Sequence, residues 1–230
     1  MFVAERVILP GMLLHWLARK RLLDEMAAEA VASGCRQMVV LGAGLDTLGW
    51  RMQGRCACFE IDHPATQGIK RRVDMGGVRL IAADLGQESP VEALRGDGRY
   101  AMEAPTFFVA EGLLMYLEAG RVGRLFEDLA GCAAAGSRFA FSFMEERPGR
   151  GLGFEGGSGV VDWWLRWRGE PFRWGLRRDE VGEFAARRGW EVAEVSTPEE
   201  LRRRYLTPNG LGGERLAIGE SVALAYRAGR

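Results

Sequence analysis

At 230 residues, 47% of them hydrophobic, the chain is long enough for one well-buried domain and short for two complete ones. Its 31 basic and 31 acidic side chains cancel, which argues against a global field for nucleic acid or other polyanions. No apolar stretch reaches the ~20 residues needed to cross a bilayer, and the start carries Glu5 and Arg6 ahead of a broken apolar run without a cleavage pattern, so a cytoplasmic protein with no membrane partner is expected. Three basic clusters, Arg19–Arg21, Lys70–Arg72 and Arg202–Arg204, read as solvated helix faces, since none is interleaved with aromatics. Cys35, Cys56, Cys58 and Cys132 have no metal-ligand spacing, and only two histidines exist to complete a site, so no metal is expected and the thiols read as buried and free.

Residues 11–33 show helical periodicity through Leu13, Leu14, Leu17, Leu22, Leu23, Met26 and Ala30, with Gly34 as the stop. A strand follows at 38–43 and runs into Gly42-Ala43-Gly44. Asp46 or Thr47 can cap a short helix after it. The second strand is 57–62, with Asp62 at its carboxyl end, and Pro64 opens a helix. Strands are also predicted at 78–83, ending at Asp84, at 106–110, ending at Glu111, and at 138–144, with a helix over 118–134 before the last of these. This β–α alternation at short spacing means parallel strands with right-handed crossovers.

The alternation then breaks. Residues 147–175 hold eight glycines and four of the seven tryptophans, Trp163, Trp164, Trp167 and Trp174. An irregular stretch of that length and aromatic content reads as a partly helical lid over the strand tips. A helix at 177–188, a strand at 190–196, a helix opening at Pro198 and a strand at 221–227 complete the chain. The last two strands lack a full crossover between them, so the final one is expected to enter antiparallel. Seven strands with a reversed last strand make a doubly wound, mostly parallel α/β sheet. In such a sheet Gly42, Gly44 and Asp62 place a small-ligand site at the strand tips, where adenine-ribose cofactors bind. The turn reads GxGxxT, and on its own it leaves NAD and S-adenosylmethionine both open.

Five segments decide further: LGAGLDT (41–47) with Arg51 after it, FEIDHPATQ (59–67) with Lys70, AADL (82–85), VAEGLLMYL (109–117) and GEPFRWGL (169–176). Together and in this order they resemble the leucine carboxyl methyltransferase family and its bacterial relatives, over roughly residues 11–206. The resemblance implies a single class I methyltransferase (Rossmann-like) domain over 1–230, with a helical segment at 1–34 and the lid at about 147–175, and S-adenosylmethionine as cofactor. It implies that Gly42 and Gly44 pass under the cofactor's methionine part and that Asp62 holds the ribose. It places Asp84 and Leu85 on the adenine, Glu111 beside the cofactor's amino group, Arg19 on its carboxylate and Tyr116 near the acceptor.

The sequence displays no His–Asp or Lys dyad near the strand tips. A carboxylate acceptor is already ionised and needs no base, so the expected reaction is methyl transfer to an acidic oxygen, a carboxylate or acidic hydroxyl, of a small molecule. Family members acting on a protein's terminal carboxylate have an arginine directly after the Asp-Leu pair, and here Gly86 stands in that place. Carboxyl methylation of a protein C-terminus and a non-catalytic cofactor-binding scaffold are the rival readings. A nicotinamide oxidoreductase would need a third glycine and a Tyr-x-x-x-Lys pair, and neither is present.

Overall fold

The computed structural model describes residues 10–146, 149, 151–155 and 171–228. The chain order is α1 (Met12–Ala32), β1 (Gln37–Leu41), α2 (Leu48–Met52), β2 (Ala57–Asp62), α3 (Pro64–Lys70), β3 (Arg79–Ala82), α4 (Pro90–Asp97), β4 (Thr106–Ala110), a 3-10 turn (Leu114–Tyr116), α5 (Ala119–Cys132) and β5 (Arg138–Met144). After these come α6 (Val181–Ala186), β6 (Trp190–Ser196), α7 (Pro198–Leu201) and β7 (Glu220–Arg227).

The seven strands form one sheet in the order β3-β2-β1-β4-β5-β7-β6. β1 to β5 are mutually parallel, and β7 runs antiparallel to both β5 and β6. The expected doubly wound sheet with a reversed last strand is therefore the observed one. β1 lies between β2 and β4, so strand order reverses beside its tip and opens the crevice in which ligands of such sheets sit.

Both sheet faces are covered, which is why β1 and β4 are buried along their full length. On one face Val39, Leu41, Phe59, Phe108, Phe139 and Phe141 pack with Leu94 of α4, Phe126 of α5 and Ala185 of α6. On the other, Met38, Val40, Cys58, Phe107 and Val109 pack with Leu22, Met26 and Ala30 of α1 and Leu201 of α7. Period-two alternation along each strand sorts these two sets. Phe126 is the aromatic hub of the first face, with ring centroids 5.0 Å from Phe139, 4.9 Å from Phe141 and 5.2 Å from Phe184. The indole of Trp190 donates to the Phe126 carbonyl at 3.0 Å, so a fully buried polar hydrogen is satisfied.

Differences from the sequence reading are local. α4 has no helical period in the sequence; it is eight residues long with only Val91 and Leu94 as a pattern, and Pro90 opens it. The helix expected over 177–188 forms only at Val181–Ala186. The helix after Pro198 begins with a capping box between Thr197 and Glu200 and widens to a π turn at Arg202–Leu206. Trp163, Trp164 and Trp167 of the lid lie outside the described residues. Trp174 is buried in the core, 5.4 Å from the Phe184 ring. Among the described residues no helix is long and apolar enough to cross a membrane.

Candidate active site

The tips of β1, β2, β3 and β4 carry the predicted residues as neighbours. After β1 the chain turns through Gly42 and Gly44, at φ +63° and +52°, a region open to glycine at little cost. A Cβ at Gly42 would come within 2.8 Å of Leu113 Cδ1, whereas one at Gly44 would meet nothing within 4 Å. The turn is thus tight on its inner side and open on its outer side, as a backbone that must approach a ligand requires. Asp62, at the end of β2, braces it: its carboxylate accepts from the Gly44 amide at 2.5 Å and from the His63 amide at 2.6 Å. His63 caps α3 through Nδ1, which accepts from the Ala65 amide at 3.2 Å. Thr47 stands at the N-cap of α2 without a side-chain capping bond, and Asp46 before it accepts from the amides of Thr47 at 2.5 Å and Leu48 at 3.1 Å.

Beyond β3, Asp84 folds back on its own turn and accepts from the Gly86 amide at 2.9 Å and the Gln87 side chain at 2.7 Å. The carbonyl of buried Leu85 accepts from Arg121 Nε at 2.6 Å, which fixes that turn against α5. Half-buried Tyr116 lies in the 3-10 turn after β4, its ring 5.7 Å from Phe172.

A chain of alternating charges runs across these tips. Arg19 Nε donates to Glu111 at 2.8 Å and its Nη1 to Glu220, the first residue of β7. Lys20 donates to the second Glu111 oxygen at 2.8 Å and to Asp46 at 2.7 Å. Lys70 donates to the Asp46 carbonyl at 2.6 Å and pairs with Glu60 at 2.5 Å. At the other end, His15 Nε2 lies 2.9 Å from Glu220. Burial opposes the charge on Glu220, but the Arg19 guanidinium and the His15 contact outweigh it and hold the carboxyl down at about 2. Burial likewise opposes charge on Arg19, and Glu220 and Glu111 raise it above its usual value regardless. For Glu60 burial wins and its carboxyl is pushed up despite Lys70.

Two of the basic clusters therefore depart from the expected solvated faces. Arg19 is only 8% exposed and Lys70 4%, because each side chain is drawn under the surface by a buried carboxylate. Arg19 spends two of its nitrogens on this ladder, and Nη2 meets no acceptor among the described residues, so the fork retains a face for an incoming carboxylate.

The family description "leucine carboxyl methyltransferase" matches residues 3–130, more than half of the chain. The chain belongs to the leucine carboxyl methyltransferase family. A relative from Mycolicibacterium smegmatis, whose name records an inferred S-adenosyl-L-methionine-dependent methyltransferase activity, is 34% identical over 189 residues, 76% of this chain and 61% of that protein. Across this relative and a second from the same organism, the chain spans 61% to 75% of their length. Among solved structures, a DUF574 family protein from Streptomyces avermitilis has a TM-score of 0.70 at 17% identity, over 93% of this chain and 84% of its own. A 1,6-didemethyltoxoflavin-N1-methyltransferase from Burkholderia thailandensis, solved with 1,6-didemethyltoxoflavin and S-adenosylhomocysteine, has a TM-score of 0.58 at 11% identity, over 91% of this chain and 78% of its own. These likenesses establish the class I methyltransferase fold.

In this member of the leucine carboxyl methyltransferase family, three participants at the tips escaped the sequence reading: His15, Lys20 and Glu220. His15 and Arg19 are spaced i, i+4 and so share a helix face; that spacing was the available signal. Glu220 had none, since it meets α1 only through the fold.

Proposed function

We propose that the chain is an S-adenosylmethionine-dependent methyltransferase that transfers the methyl group to an oxygen of a small molecule. The observation that carries the cofactor is the Gly42–Gly44 turn, closed on its inner side by Leu113 and open above Gly44, with the Asp62 carboxylate bracing it from the next strand. A carboxylate there can accept from both ribose hydroxyls. Asp84 and Leu85 are suited to the adenine, Glu111 to the cofactor's ammonium, and Arg19 to its carboxylate through Nη2. The bound cofactor supplies an activated methyl group on a sulfonium. What remains for the protein is to align the acceptor, exclude water and handle the acceptor's proton.

The acceptor reading rests on the chemistry of the β4–β5 side. Tyr116, Phe172 and Phe154 form a row of ring contacts at 5.7 and 6.1 Å. The cations around the strand tips are already engaged: Arg19 and Lys20 are each bound to two carboxylates, and Arg173, next to Phe172, pairs with Glu118. Gly86, in place of an arginine, gives no bidentate grip on a peptide's terminal carboxylate. A flat, largely apolar acceptor suits such surroundings. The test is a single-turnover comparison, with labelled methyl donor, of a peptide ending in leucine against a panel of aromatic and aliphatic acids and phenols. Methylation of panel members is expected; efficient methylation of the peptide alone would overturn the small-molecule reading.

A further inference from the structure

The His15–Glu220 contact joins two residues that lie 205 positions apart and have no part in the roles above. Both are fully buried. Glu220 is the residue that β7 sets opposite Met144, the end of β5, so the pair stands in the row of strand tips, on the side away from Asp62 and Asp84. His15 reaches it from α1, one turn before Arg19.

The proton inventory of the pair is constrained. Glu220 is held ionised, so it can only accept. The hydrogen in the 2.9 Å contact therefore belongs to His15 Nε2. In the neutral ring this leaves the lone pair on Nδ1, and Nδ1 finds no hydrogen-bond partner among the described residues although it is buried. Leaving such a group unmatched is unfavourable, and burial without a partner asks for a reason. The surroundings supply one. The His15 ring lies edge-on to Phe154 at 6.0 Å, and Phe154 continues through Phe172 to Tyr116. The imidazole thus ends the same aromatic row to which the acceptor is assigned.

We propose that His15, oriented by Glu220, is the general base that removes the proton from a hydroxyl acceptor, which makes a phenol-like hydroxyl rather than a carboxylate the acceptor class. The inference rests on the oxygen-acceptor reading given above. In the step, the acceptor O–H proton passes to His15 Nδ1 while an oxygen lone pair forms the new O–C bond to the methyl carbon. The C–S bond breaks, its electron pair stays on sulfur, and the cationic charge passes from sulfonium to imidazolium. Glu220 stabilises that imidazolium without itself taking the proton. The charged groups facing the ring are Glu220 from β7, Arg19 along α1 and, across Arg19, Glu111 at the tip of β4.

The experiment uses para-substituted phenols, from phenol to 4-nitrophenol, and a matching series of benzoates, with labelled methyl donor under single-turnover conditions at pH 8. His15→Gln keeps a donor for Glu220 but has no base. It should slow methylation of phenol, whose pKa is about 10, by about 100-fold or more, and leave 4-nitrophenol, already ionised, within a few-fold of wild type. An equal loss across the phenols would make His15 a positioning residue and overturn the proposal. Methylation of benzoates but not phenols would also overturn it and leave the oxygen-acceptor reading standing. Methylation of neither series would remove that reading and this proposal together. Should His15→Gln fail to fold, the wild-type ring decides. His15 and His63 are the two histidines, so nitrogen NMR of the His63→Gln protein isolates His15. A neutral ring with Nε2 protonated, whose Nδ1 signal moves when phenol is added to the S-adenosylhomocysteine complex, is expected. The opposite tautomer, or an Nδ1 signal indifferent to phenol, would overturn the assignment.

Discussion

On the β1–β3 side of the switch point, the site is made from short-range contacts: a glycine turn and the carboxylate 18 residues later that accepts its amide. On the β4–β7 side the contacts join distant parts of the chain, with Arg19 meeting Glu111 across 92 residues and Glu220 across 201. The first half relies on backbone amides and open space, with a single buried ion pair, Lys70–Glu60, behind the turn. The second half buries several charges, and each is tolerable only while its neighbour is present. The contrast teaches that the cofactor side can be weakened in parts, whereas the β4–β7 side stands or falls as a connected ladder.

The sharpest way to break that contrast is Arg19→Ala. It strands Glu220 and Glu111 in buried positions, and removing one partner of a buried pair costs about 3–5 kcal/mol. Urea unfolding should show that loss together with weakened binding of S-adenosylhomocysteine; a loss under ~1 kcal/mol would mean that the ladder is not a stability element. Acid unfolding probes the same ladder in the intact protein. The Glu220 carboxyl, at about 2 when folded, lies below its ordinary value. Its contribution is therefore complete above about pH 5 and disappears as the pH falls toward 2, roughly 3 kcal/mol in all. Stability measured from pH 6 down to 2 should decline accordingly, and a flat profile would contradict the pairing.

On the other side the effects should be smaller. Asp62→Ala removes the acceptor of two backbone amides and the proposed ribose partner, so cofactor affinity should drop by about 1–3 kcal/mol for each charged hydrogen bond lost, with some loosening of the turn. Unchanged calorimetric affinity in the folded variant would make Asp62 a purely structural brace. Gly44→Ala should be the mildest, about 1 kcal/mol of stability for a side chain at φ +52°. Its effect should appear instead in cofactor affinity, because the added methyl group enters the open space over the turn. Equal affinities for Gly44→Ala and wild type would show that no ligand approaches there.

The same difference in contact range explains what the sequence disclosed. Parallel strands buried on both faces are continuous apolar runs, so β1, β2, β4 and β5 could be found without their partners. Gly42, Gly44 and Asp62 were legible because strand, turn and carboxylate follow one another along the chain. Short α4 was not legible, since two apolar residues make no period. The burial of Arg19 and Lys70 was hidden for another reason: a basic residue in a basic cluster looks solvated until the fold brings a carboxylate beneath it. The His15–Glu220 pair is the extreme case, because neither residue signals the other at a separation of 205. Local sequence displays no His–Asp or Lys dyad, and the fold sets His15 Nε2 2.9 Å from Glu220.

The central claim is that the β1–β3 tips bind S-adenosylmethionine, and the most direct test is titration calorimetry of the intact chain with S-adenosylhomocysteine and, separately, NAD. The account predicts saturable 1:1 binding of the sulfur nucleoside, weakened in Asp62→Ala, and no heat from NAD. Tight binding of NAD with no response to S-adenosylhomocysteine would contradict it.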